Sequence, residues 1–116
     1  MNIYKRLKVI RSRIAQLPGL KSYRDFDIAI EIGYHQSLGT PLTLKRLLLL
    51  NIAAGATLRR HLSRMVREGT VIKVTPPNDH RTVHFMLSPG TIHALNQCLE
   101  KIHRTLCDPD LGPPHD

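Results

Sequence analysis

Long apolar runs are missing from this chain of 116 residues. The longest, Leu47 to Leu50, is followed at once by Asn51, far short of the roughly 18–20 apolar residues that a membrane-crossing helix needs. A signal-peptide pattern is missing too. Met1-Asn2-Ile3-Tyr4-Lys5-Arg6 leads into alternating basic and apolar residues rather than an apolar block. Cysteine is scarce. Cys98 and Cys107 stand nine residues apart, which is neither a disulfide framework nor the closely spaced pairs of a zinc signature. A reducing, cytoplasmic location is the expectation. There is no glycine-rich phosphate loop, no nucleophile elbow and no pair of carboxylates on a plausible cleft, so catalysis is not expected. No internal repeat occurs.

What is present suits one small domain. Hydrophobic residues at 41% and charged residues at 22% are ordinary globular values. The formal charge of +8 is unevenly placed. Residues 1–24 carry Lys5, Arg6, Lys8, Arg11, Arg13, Lys21 and Arg24 with no acid. Residues 25–40 carry only the acids Asp25, Asp27 and Glu31. Residues 41–81 are again basic, with Lys45, Arg46, Arg59, Arg60, Arg64, Arg67, Lys73 and Arg81 against Glu68 and Asp79. Two basic blocks around an acidic one point to a polyanionic partner, most simply nucleic acid.

Local periodicity organises the chain into short elements. Ile3, Leu7, Ile10 and Ile14 share one helical face, in a helix that ends before Pro18-Gly19. Its stripe can dock on its own domain or on a second copy. Residues 26–38 offer both strand-like alternation and helical pairs. Asp25 and Asp27 at the start and Gly39 at the end favour a helix. Thr43 is a natural N-cap for a short helix with Leu44, Leu47 and Leu48 facing the core. A second helix follows with Leu58, Leu62, Met65 and Val66 inward, ending at Gly69. Val71-Ile72-Lys73-Val74 and Thr82-Val83-His84-Phe85-Met86-Leu87 form a hairpin around a turn-rich tip. Ser88 caps a last helix that has Pro89 in its first turn. Its expected inward stripe is Ile92, Leu95, Leu99, Ile102 and Leu106. Residues 108–116 are expected to be a disordered tail.

The expected fold class is mainly α with a small β-hairpin wing (α+β), a winged helix-turn-helix with flanking N- and C-terminal helices. Two short helices joined by a turn, the second basic and polar outward, are what reading a DNA major groove requires. The hairpin tip can reach an adjacent phosphate or minor groove.

Ala56-Thr57-Leu58-Arg59-Arg60-His61-Leu62-Ser63-Arg64-Met65-Val66-Arg67-Glu68-Gly69 resembles the recognition helix of bacterial winged helix-turn-helix regulators. Asp79-His80-Arg81, followed by Val83-His84-Phe85-Met86-Leu87-Ser88-Pro89-Gly90, resembles the Asp-x-Arg wing and Leu-Thr-x-x-Gly stretch of the MarR family, with Ser88-Pro89-Gly90 one residue shorter. The likeness covers about residues 41–95. It implies a DNA-binding dimer with the helix in the major groove, Arg81 at the wing, and terminal helices 3–17 and 91–107 as the dimer interface. Residues 1–107 would then be a single winged-helix domain with 41–88 as its DNA-binding core.

The candidate DNA contacts are Thr57, Arg59, Arg60, Ser63, Arg64, Arg67, Lys73, His80 and Arg81. Arg59 and Arg60 are placed for base edges near the helix N-terminus, and Arg67 for phosphate. Thr57 suits either a cap or a base contact. Arg81 suits DNA or an ion pair with Asp79 that stiffens the loop. His61 reads as a partly buried packing residue. The seven histidines do not assemble the three or four convergent ligands a metal needs, and no cofactor is implied. Cys98 and Cys107 lie on nearly opposite sides of one helix, which suits plain packing better than a redox pair. The leading expectation is a dimeric sequence-specific repressor that binds double-stranded DNA. The alternatives are a winged-helix nucleic-acid-binding accessory of a mobile element or replication system, and a winged helix used for protein–protein contact.

Overall fold

The computed structural model describes residues 3–79 and 81–107. The expected tail and His80 lie outside them. The elements run α1 (Ile3–Ala15), α2 (Tyr23–Ser37), β1 (Leu42–Thr43), α3 (Leu44–Leu49), α4 (Gly55–Arg67), β2 (Val71–Val74), β3 (His84–Leu87) and α5 (Pro89–Cys107). Among the described residues, no helix is long and apolar enough to cross a membrane.

The local signals act where the chemistry places them. Ser22 accepts from the backbone N–H of Asp25 and starts α2. Residues 26–38, open between strand and helix in the sequence, are helical. Thr43 accepts from Arg46 N and starts α3. The backbone turns out of α4 at Gly69, whose φ of +81° is easy only for glycine. Ser88 accepts from Thr91 N at the start of α5.

The sheet has three strands rather than two, in the order β1-β3-β2, all antiparallel. Leu42 sits opposite Phe85, and Lys73 lies on the other side of the same residue. β3 begins at His84 instead of Thr82, so Val83 belongs to the exposed wing. Gln36 of α2 accepts the backbone N–H of Leu87 and ties that helix to the central strand.

The core is built from Ile28, Ala29 and Ile32 of α2, Leu47 of α3, Leu58, Leu62 and Met65 of α4, and Leu42, Val71, Phe85 and Leu87 of the sheet. It holds α3, α4 and the sheet in one block. The two terminal helices pair with each other and project from that block, and the molecule measures 55 × 27 × 22 Å. Arg6 is buried between them and donates to the carbonyls of Thr105 (3.0 Å) and Leu106 (3.2 Å) near the C-terminal end of α5, where a cation is favoured.

The stripe of α5 is turned from the expected one. Thr91, Cys98 and Thr105 are the buried positions. Ile92, Leu99 and Leu106 lie exposed on the outside, Leu99 at 66%. On α1, Ile3 and Leu7 are likewise exposed. A single neighbouring helix covers only a narrow stripe of α5, and Thr91 is buried at its start, where its hydroxyl donates to the Thr70 carbonyl. Leu95 and Ile102 of the expected stripe do pack against the core, while Ile92, Leu99 and Leu106, at its outer edge, face away.

Candidate nucleic-acid interface

The position of α4 sorts its side chains into three flanks. Leu58, Leu62 and Met65 fix the inward face. Ala56, Arg60, Ser63 and Arg67, spaced i, i+4, i+7 and i+11, are exposed on the opposite face. Arg59 leans toward the sheet. It shares with Ser63, Lys73 and the apolar floor of Leu62, Val66 and Phe85 an open cleft of about 250 Å³ between α4 and the sheet. Thr57, His61 and Arg64 lie on the third flank, toward α2. Ala54 occupies the N-cap position without a side-chain bond, so Thr57 is not the cap.

Arg64 is separated from the other candidates by a strong partner. Asp25 of α2 is fully buried (0% exposed), and Arg64 Nη2 donates to its Oδ1 and Oδ2 at 2.5 and 2.6 Å. His61 Nδ1 lies 2.7 Å from Oδ1, and the backbone N–H of Lys21 donates to Oδ2 at 2.9 Å. Burial pushes the Asp25 carboxyl up, but the hydrogen bonds from Arg64, His61 and Lys21 outweigh it and hold the group below the ordinary carboxylate range. The same hydrogen bond raises the pKa of Arg64. His61, expected as a packing residue, is partly buried but takes a polar role. Local spacing carries no sign of this contact, because Asp25 and Arg64 are 39 residues apart.

The other candidate cations stand differently. Among the described residues, the side chains of Arg59, Arg60, Arg67, Lys73 and Arg81 have no hydrogen-bond or ion-pair partner, and all five are exposed. At the wing, Asp79 does not pair with the Arg81 guanidinium. Its carboxylate accepts the Thr82 hydroxyl and, at 3.0 Å, the backbone N–H of Arg81. These bonds, the Thr82 one foremost, lower the Asp79 pKa. The turn is thereby braced while the Arg81 side chain stays available. No group of His, Cys, Asp and Glu among the described residues is gathered to hold a metal. Cys98 is buried and Cys107 exposed, and neither is in a disulfide.

The same arrangement of helices and wing occurs in solved structures. The apo form of MarR from E. coli matches with a TM-score of 0.60 at 22% identity, over 89% of this chain and 75% of that one. A mutant of E. coli MarR complexed with operator DNA matches with the same score and identity, over 89% and 72%. The transcriptional regulator BldR from Sulfolobus solfataricus matches with a TM-score of 0.56 at 20% identity, over 90% and 70%. The likeness is one of fold, a MarR-like winged helix-turn-helix. No protein-family model matches the chain, and no curated protein is detectably similar to it in sequence.

Proposed function

We propose that this chain is a sequence-specific, double-stranded-DNA-binding transcriptional regulator that acts in the cytoplasm as a dimeric repressor. The observation that carries this reading is the set of exposed cations, Arg59, Arg60, Arg67, Lys73 and Arg81, that have no partner among the described residues and lie on α4, which the core seats, and on the β2–β3 wing beside it. A cation kept exposed and unpaired beside others of its sign is set for an external anion, and a duplex offers a row of them. The E. coli MarR mutant of the same fold is complexed with operator DNA, which supports the choice of duplex.

The parts divide the work. Residues 41–88 form the DNA-binding core. α4 enters the major groove with Arg60 and Ser63 at base edges, where a guanidinium recognises guanine in bidentate fashion. Arg59 and Lys73, facing one cleft, clasp backbone phosphate, and Arg67 meets phosphate further along. Thr57 lies at the edge of the contact. The wing, residues 75–81, lays Arg81 on the flanking backbone or minor groove. The arm of α1 and α5 carries Ile3, Leu7, Ile92, Leu99 and Leu106 outward, and a second copy covers them. Two-fold symmetry then presents two reading helices to an inverted repeat, and a bound dimer represses by occluding a promoter.

Selection of bound duplexes from a random pool, at stated salt, tests this reading. Enrichment of one inverted repeat is expected, together with a light-scattering mass twice that of the 13.2 kDa chain. Binding without an enriched motif would instead identify a sequence-indifferent accessory. No binding even at low salt would leave protein–protein contact as the role.

A further inference from the structure

We propose that Asp25 is a positioning residue for DNA reading: through Arg64 and His61 it fixes the rotation of α4, and base discrimination depends on it. This inference rests on the DNA-reading function proposed above.

The apolar bed under α4, made by Leu58, Leu62 and Met65 against the core, holds the helix down but is not directional. Hydrogen bonds are directional. Arg64 and His61 lie one turn apart on the same flank, and both end on one carboxylate that has no exposure. Asp25 is itself anchored from its own side, since its backbone N–H donates to Ser22 and its Oδ2 accepts from Lys21 N. The ring closes at the surface. Arg64 Nη1 reaches Glu68 at 3.4 Å, and Glu68 takes Lys21 Nζ at 2.8 Å. The start of α2 thus grips α4 at two points on the flank beside its outward face.

The lever arm makes this matter. A helix with its side chains is about 10–12 Å across, so a rotation of about 20° moves an outward tip by about 2 Å, more than a hydrogen bond tolerates. Arg60 adjoins His61 in sequence, and Ser63 adjoins Arg64. Phosphate contacts tolerate such a rotation because an exposed Arg or Lys re-aims its flexible side chain. A bidentate base contact does not.

The test compares the parent with Asp25→Asn, Arg64→Gln and the double variant, well below the melting temperature of each. It measures the ratio of affinities for a selected and a scrambled duplex, and the salt dependence of binding. Each single variant is expected to lower the ratio by about fivefold or more, the worth of one base contact at its lower bound. The salt slope should stay unchanged, and the double variant should be no worse than the worse single, as expected of two residues acting through one contact. Should Asp25→Asn fail to fold, Arg64→Lys, which keeps the charge and loses the guanidinium shape, carries the test. A purely structural contact would lower melting temperatures and leave the ratio of the folded protein alone, and that result overturns the inference. So does a salt slope that falls by roughly one per half-site in Arg64→Gln, the mark of a direct phosphate contact. A parent that does not discriminate at all overturns the DNA reading and this inference together. A discriminating parent with equally discriminating variants overturns the inference alone.

Discussion

Neighbouring arginines in sequence are expected to behave differently because α4 sends them to different flanks. Arg59 faces the cleft shared with Lys73, whereas Arg60 stands on the outermost face. In a dimer, Arg59→Ala removes one phosphate contact per half-site. Each contact contributes about −0.9 to the slope of log affinity against log salt, so the slope should become shallower by about 1.8. Over a fourfold rise in salt, from about 50 to 200 mM, the parent should lose about twelvefold more affinity than the variant. Selected and scrambled duplexes should be affected alike. Arg60→Ala should leave the slope nearly intact, weaken the selected duplex by about 1–3 kcal/mol and relax the preference at one base position. Fluorescence anisotropy titrations of both duplexes across a salt series measure all of these quantities. A selectivity loss in Arg59→Ala with no change in slope, or the reverse pattern in Arg60→Ala, would refute the assignment of flanks.

Three further outcomes are expected. Leu47→Ala opens a hole in a fully buried site and should destabilise the fold by about 2–5 kcal/mol in urea titrations. Gly19 and Gly39 share a φ of +78°, but a Cβ at Gly19 would lie 2.5 Å from Thr70 Oγ1 and one at Gly39 would meet nothing. Gly39→Ala should lose about 1–2 kcal/mol from backbone strain and Gly19→Ala clearly more; equal losses would mean that Thr70 moves aside freely. The Asp25 carboxyl is held below its ordinary range, so its contribution to stability is complete above the unfolded pKa, near about 3.9, and is lost as pH falls toward the lower folded value. In Asp25→Asn that acid-side decline should flatten, which urea midpoints measured from about pH 6 down to pH 3 would reveal.

Much of this architecture is legible along the sequence because its signals are local. Thr43 and Ser88 are caps whose bonds reach only three residues on, and the stripe Leu58, Leu62, Met65 needs no more than the helical repeat. The sheet was only partly legible. β1 has two residues, too few for any alternation, and it pairs with a strand some forty positions later. The ambiguity over residues 26–38 is settled by core packing, which Ile28 and Ile32 reach from one helical face. On α5 the rule that large apolar residues point inward holds for Leu95 and Ile102 and fails for Ile92, Leu99 and Leu106. Ile92, Leu99 and Leu106 recur every seven residues along one edge of the single expected stripe, and the repeat carries no sign of which edge meets the rest of the molecule. The grip of Asp25 on Arg64 is long-range and electrostatic, and a lone acid in the first turn of a helix looks the same whether it faces solvent or an arginine.

One thiol sits inside the molecule and the other at the tip of its last helix. Burial raises the pKa of Cys98 and its neighbours enclose it, so a maleimide dye added to the native protein should attach at Cys107 alone. The chain therefore brings its own reporter position, at the end of the arm most distant in sequence from the wing. Spin labels placed there on two associated copies would give the spacing between arm tips directly, with no residue changed.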